Sequence, residues 1–185
     1  MIRDEELTMT IRKQGFTLYE LLLTLVLVAI ITSIAIPSFS NSLARQRQRV
    51  EIDALFHAVH QARKESIMRR KVVSLCPSLD GRTCSPSEDW SSGWLLFENK
   101  DRDSPPRLDA GEPLLLQHRV GDNVQISANR KGFTLRATFL RATNGTFVFC
   151  DPKDRIVPKA LVVSYTGRPR VARHKTNGEL YSCVD

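Results

Sequence analysis

No stretch of this 185-residue chain has a recognisable catalytic signature. It lacks a G-x-S-x-G elbow, a P-loop, an H-E-x-x-H helix and any paired-carboxylate motif. Isolated Ser, His and Asp residues are expected by chance in a chain this long, so the sequence argues against an enzyme. The four cysteines contain no C-x-x-C, which weighs against a tetracysteine zinc site. His57 and His60 stand three residues apart with no third ligand nearby, so no metal is expected there and no cofactor is implied. There is no internal repeat and no low-complexity tract, which removes repeat arrays. No small-residue A-x-A pattern follows the one long apolar run. Ile34-Ala35-Ile36-Pro37 is a poor substitute, so conventional signal cleavage after that run is not expected.

What is present is uneven. Hydrophobic residues make up 42% and charged residues 25%, enough for a packed core. The length suits one domain with an appended segment. Lys and Arg number 27 against 20 Asp and Glu, a net charge of +7. That surplus favours polyanions or anionic membrane surfaces, or is simply a solvated basic surface. The strongest apolar residues form one block near the N-terminus. From Phe16 to Ile36, a helix would extend about 31 Å, sufficient to cross a hydrocarbon core. Arg12 and Lys13 precede the block, so the N-terminus should stay cytoplasmic and the rest should be exported. Glu20 is the exception inside the run. It is either an interfacial glutamate or a charge that needs a partner.

Residues 13–20, Lys-Gln-Gly-Phe-Thr-Leu-Tyr-Glu, resemble the class III signal of type IV prepilins and type II secretion pseudopilins. The resemblance implies cleavage between Gly15 and Phe16 by a prepilin peptidase, then methylation of the Phe16 amine. It also implies that Glu20, fifth in the processed chain, pairs with a neighbouring subunit's terminal amine in the fibre. Two charges buried in a helical bundle need each other. The expected organisation is a leader over 1–15, a transmembrane and assembly helix over 16–40, an amphipathic continuation over 41–71 and a periplasmic β-rich head over 72–185. The expected fold class is α+β, a long hydrophobic N-terminal helix packed on an antiparallel sheet or sandwich. The expected location is the inner membrane, with the head in the periplasm, before assembly with minor and major pilins into a surface pilus.

Pro37 should kink or interrupt the helix. Beyond Asn41 an apolar stripe recurs at Ile52, Leu55, Phe56, Val59 and Ala62 or Arg63, spaced for packing under the head. After Lys71, short apolar runs alternate with turn residues. Strands are predicted at 72–76, 94–98, 114–118, 124–128, 133–140, 146–150 and 161–165, with long loops at 77–92 and 99–113. Asn144-Gly145 is a hairpin signal. An oxidising compartment would join the four cysteines. Of three possible pairings, Cys76–Cys84 closes a local loop and Cys150–Cys183 pins the chain end to a strand, and this combination is favoured.

The last feature is a basic loop. In Arg168–Lys175, Arg168, Arg170, Arg173, His174 and Lys175 cluster after Gly167, and Pro169 stiffens the chain between two arginines. Guanidinium forks held in this way suit phosphate oxygens. The simpler reading is a solvated turn. The segment 144–173, with NGTFVFC and ALVVSYTGRPRVAR, resembles the GspH/FimT group of minor pilins and pseudopilins, and Gly167-Arg168-Pro169-Arg170 is similar to the G-R-x-R motif of the FimT branch, implicated in DNA uptake. The resemblance implies that Arg168 and Arg170 contact double-stranded DNA. Arg173 and Lys175, with Lys153, Arg155 and Lys159, join them by charge and sequence proximity alone. The alternatives are a structural minor pilin that primes assembly and a pseudopilin of type II secretion.

Overall fold

The computed structural model describes residues 15–138 and 142–183. The expected leader lies outside the described residues apart from Gly15. One helix, α1 (Leu18–Arg69), precedes eight strands: β1 (Val73–Pro77), β2 (Gly93–Glu98), β3 (Leu114–Arg119), β4 (Gln125–Ala128), β5 (Phe133–Leu135), β6 (Gly145–Cys150), β7 (Lys159–Val163) and β8 (Pro169–Ala172). The chain divides into two units, Met1–Ser40 and Asn41–Asp185.

In the first unit the helix begins with a side-chain cap. The Thr17 hydroxyl accepts from the backbone N–H of Glu20 at 3.3 Å, and the Thr17 carbonyl accepts from Leu21 at 3.1 Å. Glu20 therefore occupies the first turn, where the helix dipole favours a carboxylate. Its place in the motif thus has a local cause independent of any partner. Thr24, Thr32 and Ser33 turn their hydroxyls back onto the carbonyls of Leu21, Val28 and Ile30. These three hydroxyls are therefore satisfied within the helix itself. The apolar side chains from Leu18 to Phe39 are exposed, and the helix is long and apolar enough to cross a membrane. The helix continues through Pro37.

In the second unit the apolar stripe forms as its spacing predicts. Ile52, Leu55, Val59 and Ala62 are buried, and Phe56 packs beside them. Burying a leucine such as Leu55 stabilises the fold by about 1.5–3 kcal/mol. The helix ends at Arg69, and Arg70 follows with φ 54°, the left-handed conformation that stops a helix. The strands form two four-stranded sheets, ordered β3-β2-β1-β5 and β4-β6-β7-β8, and every pair is antiparallel. One core joins the helical stripe to the inner faces of both sheets. At its centre Trp90, Phe133 and Phe147 meet, with ring centroids of Trp90 and Phe147 4.9 Å apart and those of Phe133 and Phe147 4.3 Å apart.

Each disulfide holds an irregular segment against the sheets. Cys76 bonds to Cys84, and a small outer cluster of Cys76, Leu95 and Phe97 with Cys84 and Leu108 buries the second face of the first sheet. Cys150 bonds to Cys183 and ties the chain end to β6. The loop from 99 to 113 is folded by its own polar groups: Asn99 donates to Asp103 at 2.9 Å, and Glu112 accepts from the backbone of Lys100 and Asp109.

Two local expectations need correction. Asn144-Gly145 does not turn a hairpin between neighbouring strands, because β5 and β6 belong to different sheets. Gly145 opens β6, and a Cβ there would stand 2.6 Å from the Asn129 Oδ1 and 2.9 Å from the Phe133 ring. Close packing, not turn chemistry, requires the glycine. The strand expected over 133–140 stops at Leu135. The Thr134 N–H instead donates to the Thr143 hydroxyl of the returning chain at 3.2 Å.

Candidate nucleic-acid interface

The basic loop is a β-hairpin. β7 and β8 pair from Ala160 opposite Ala172 to Val163 opposite Pro169. Ser164 closes the ladder: its N–H donates to the Arg168 carbonyl at 3.1 Å, while its hydroxyl accepts from the Arg168 N–H at 3.2 Å. The turn completes with Gly167 N–H donating to the Ser164 carbonyl at 2.8 Å. Gly167 is buried with φ 72°, and a Cβ there would meet Leu135 Cδ2 at 3.0 Å, Arg63 Cδ at 3.3 Å and Ala142 Cβ at 3.4 Å. The hairpin is thus seated on the helix and on β5 by its glycine. Arg63 is held there in turn, donating to the Arg136 carbonyl at 2.9 Å.

Arg168 and Arg170 are exposed on this seated hairpin, and neither forms an ion pair among the described residues. Pro169 between them is buried. The backbone bonds of Arg168 and the fixed φ of Pro169 leave the two guanidinium groups on a stiff support. Strand alternation then separates the expected basic residues. Leu161 and Val163 face the core, so Arg170, opposite Val162, lies on the outer face of the sheet. Arg173 instead lines a cavity on the helix side with Arg45, Gln48, Lys159 and His174. Lys175 stands on the turn of the C-terminal tail and pairs with Glu179 at 3.7 Å. Arg155 is committed to Asp151, whose carboxylate accepts from its Nε at 2.8 Å and its N–H at 3.0 Å. The Arg155 guanidinium holds Asp151 below the usual carboxylate range. Lys153 is exposed on the loop before β7.

Lys159 departs most from an ordinary surface lysine. Partial burial, then the charges of Arg173 and Arg49, push it below the usual lysine range, opposed by Asp53. Sequence proximity had named Lys159, but the helical residues beside it sit more than a hundred positions earlier. A further contact unseen in the sequence is Glu51, buried in α1. It accepts from Gly121 N–H at 3.0 Å and meets His118 Nε2 at 2.8 Å, and His118 stacks on Trp94 at 4.1 Å. This cluster fastens the helix to the edge of the first sheet.

The processing residues sit at the start of the described chain. Gly15 has no other group within 4 Å of a Cβ position, and Phe16 and Glu20 are exposed. Among the described residues one trio could hold a cation: Asp101, Asp103 and Asp109 bring carboxylate oxygens within 4.8 Å of one another. Desolvation, followed by the charge of Asp101, raises Asp109 above the usual range. Asp103 Oδ1 already accepts from Asn99 and Arg107, so these acids also serve to fold their loop.

The family model described as type II transport protein GspH matches residues 51–167. The structure is similar to the type IV minor pilin FimU of Pseudomonas aeruginosa, with TM-score 0.51 and 19% identity over 69% of this chain and 90% of that one. It is also similar to the minor pseudopilin EpsH from the type 2 secretion system of Vibrio cholerae, with TM-score 0.50 and 7% identity over 68% and 96%. At these identities the two structures speak for the fold. No curated protein sequence matches the chain.

Proposed function

The chain belongs to the GspH family of minor pilins and pseudopilins, and from that premise we propose that it is a FimT-like minor pilin that binds double-stranded DNA without sequence preference. One observation supports the DNA reading above all. The β7–β8 hairpin presents Arg168 and Arg170 exposed and without ion-pair partners among the described residues, on a backbone fixed by Ser164, Gly167 and Pro169. Phosphate oxygens complete such a fork, and base edges are not needed. The N-terminal helix fits a membrane-anchored pilus component. In this reading a prepilin peptidase cuts after Gly15, the Phe16 amine is methylated, and Glu20 pairs with another subunit's terminus on assembly with other pilins. The head faces the periplasm before assembly, and pilus retraction carries bound DNA inward.

The test uses the full chain in an uncharged detergent with labelled duplex DNA of random sequence. Binding should weaken steeply with salt as counterions are released. Arg168→Ala and Arg170→Ala should each lower affinity by about three- to tenfold, the worth of one net hydrogen bond at an exposed site. Wild-type affinity in both variants would remove the loop from DNA binding. The pseudopilin reading draws on the family's own description. Deleting the gene separates the two readings: lost DNA uptake with intact protein secretion supports the pilin, and the reverse supports the pseudopilin.

A further inference from the structure

A second cationic site lies on the other face of the same hairpin. A cavity of about 460 Å³ opens between α1, the segment before β7 and the C-terminal tail. Arg45, Lys159 and Arg173 line it with His174, and no carboxylate does among the described residues. Its fourth cation, Arg155, is held by Asp151. The walls are fixed. Gln48, almost fully buried, donates its amide to the carbonyls of Phe149 at 2.9 Å and Val157 at 3.2 Å, pinning the segment before β7 to the helix. On the opposite wall the tail folds back on itself, His174 pairing with Leu180 and the Tyr181 N–H donating to the Arg173 carbonyl at 3.4 Å.

Such a concentration of like charge has an energetic consequence. Burial first, then the charges of Arg173 on the tail and Arg49 on the helix, push Lys159 below the usual lysine range, while Asp53 on the helix opposes them. A dianionic group entering the cavity would relieve that repulsion and accept hydrogen bonds from several donors at once. None of the side chains lining the cavity would repel it.

We propose that this cavity is a phosphate-binding site in which Arg45, Lys159 and Arg173 hold one phosphate group. That the group belongs to a DNA backbone rests on the function proposed above. DNA running along the edge strand β8 then meets cations on both faces, Arg170 on the outer and Arg173 on the inner. The site names two residues, Arg45 and Lys159, that the loop motif does not contain.

The test follows Lys159 directly. The full chain in uncharged detergent is labelled with carbon-13 at lysine Cε, and the Lys159 signal is assigned by its loss in Lys159→Gln. Added inorganic phosphate should shift that signal and move the Lys159 titration upward, since a nearby anion favours the ammonium form. Acetate at the same ionic strength should not; an equal response to acetate would show a general anion site and overturn the assignment to phosphate. Duplex DNA should move the same signal. Arg45→Gln and Lys159→Gln should each weaken duplex binding about three- to tenfold and lower the salt slope by about one. If the wild type binds duplex through Arg168 and Arg170 while phosphate leaves Lys159 unmoved and both glutamine variants bind normally, this inference fails and the loop reading stands. If phosphate moves Lys159 but duplex does not bind, the DNA reading fails and the site serves another phosphate ligand. A Lys159 indifferent to both overturns the site.

Discussion

Replacing Gly167 with alanine separates two costs that the hairpin imposes on one residue. The first is conformational. Gly167 has φ 72°, where an L side chain costs about 1–2 kcal/mol. The second is crowding. The added Cβ would lie 3.0 Å from Leu135 Cδ2, with Arg63 Cδ at 3.3 Å and Ala142 Cβ at 3.4 Å. Leu135 is fully buried on β5 and has little room to give, so inserting a methyl adds about 1–2 kcal/mol. Gly178 supplies the control. It has φ 86° with nothing within 4 Å of a Cβ, so Gly178→Ala incurs the conformational cost alone.

The assay is urea unfolding of the full chain in detergent, followed by tryptophan fluorescence. The two tryptophans, Trp90 and Trp94, are both buried in the head, so the signal reports that unit. Gly167→Ala should destabilise it by about 2–4 kcal/mol and Gly178→Ala by about 1–2 kcal/mol. Because the glycine seats the hairpin, Gly167→Ala should also lose DNA affinity with every arginine still present. Equal destabilisation by the two substitutions would refute the packing argument. A fully destabilised Gly167→Ala that binds DNA normally would refute the claim that seating orients the arginines.

The disulfides should differ in worth by the loops they close. Cys150 and Cys183 are 33 residues apart and Cys76 and Cys84 are 8 apart, so double alanine substitution should cost about 3.7 and about 2.5 kcal/mol respectively in the chain-entropy account; the opposite order in urea midpoints would show that packing at Cys76 outweighs chain restraint. Asp151 should make the head acid-sensitive. Its folded pKa is depressed by Arg155, so its contribution is complete above about pH 4 and is lost as pH falls through the lowered value. Arg155→Gln should therefore flatten the decline in stability below about pH 4, and parallel curves for variant and wild type would exclude the pair as its source.

Legibility followed the range of the interactions. The stripe from Ile52 to Ala62 was readable because helical spacing alone decides which side chains share a face. The strands β1 to β4, β6 and β7 were readable as apolar runs between turn residues, with ends shifted by one or two positions. Local signals failed where a distant neighbour decides. Gly145 looked like a turn residue because Asn precedes it, yet the Phe133 ring and Asn129 are what exclude a side chain. β8 carries little strand signal of its own. Its four residues include a proline and an arginine, and it exists through pairing with β7. The cavity was invisible in one dimension, since Arg45 and Arg173 meet only after the chain has folded. Charge counting placed Arg170 and Arg173 together; the pleat puts them on opposite faces.

The arginine hairpin also has a structural explanation, and it must be separated from the functional one. β8 is an edge strand, and proteins protect such edges from pairing with another chain by placing proline and charge there. Pro169 and Arg170 meet that need without any ligand. Edge protection does not account for Arg168, which lies in the turn before the strand, nor does it ask for arginine over lysine. A lysine guards an edge as well as an arginine does, but its ammonium cannot make the two parallel bonds of a guanidinium to phosphate. Arg168→Lys and Arg170→Lys therefore divide the two accounts. If the hairpin only guards an edge, both lysine variants keep DNA affinity and solubility, while Arg170→Ala self-associates. If the hairpin grips phosphates, the lysine variants stay monomeric in detergent and lose part of the affinity. Loss of affinity on Arg168→Lys would be the sharper result, because no edge lies there to protect.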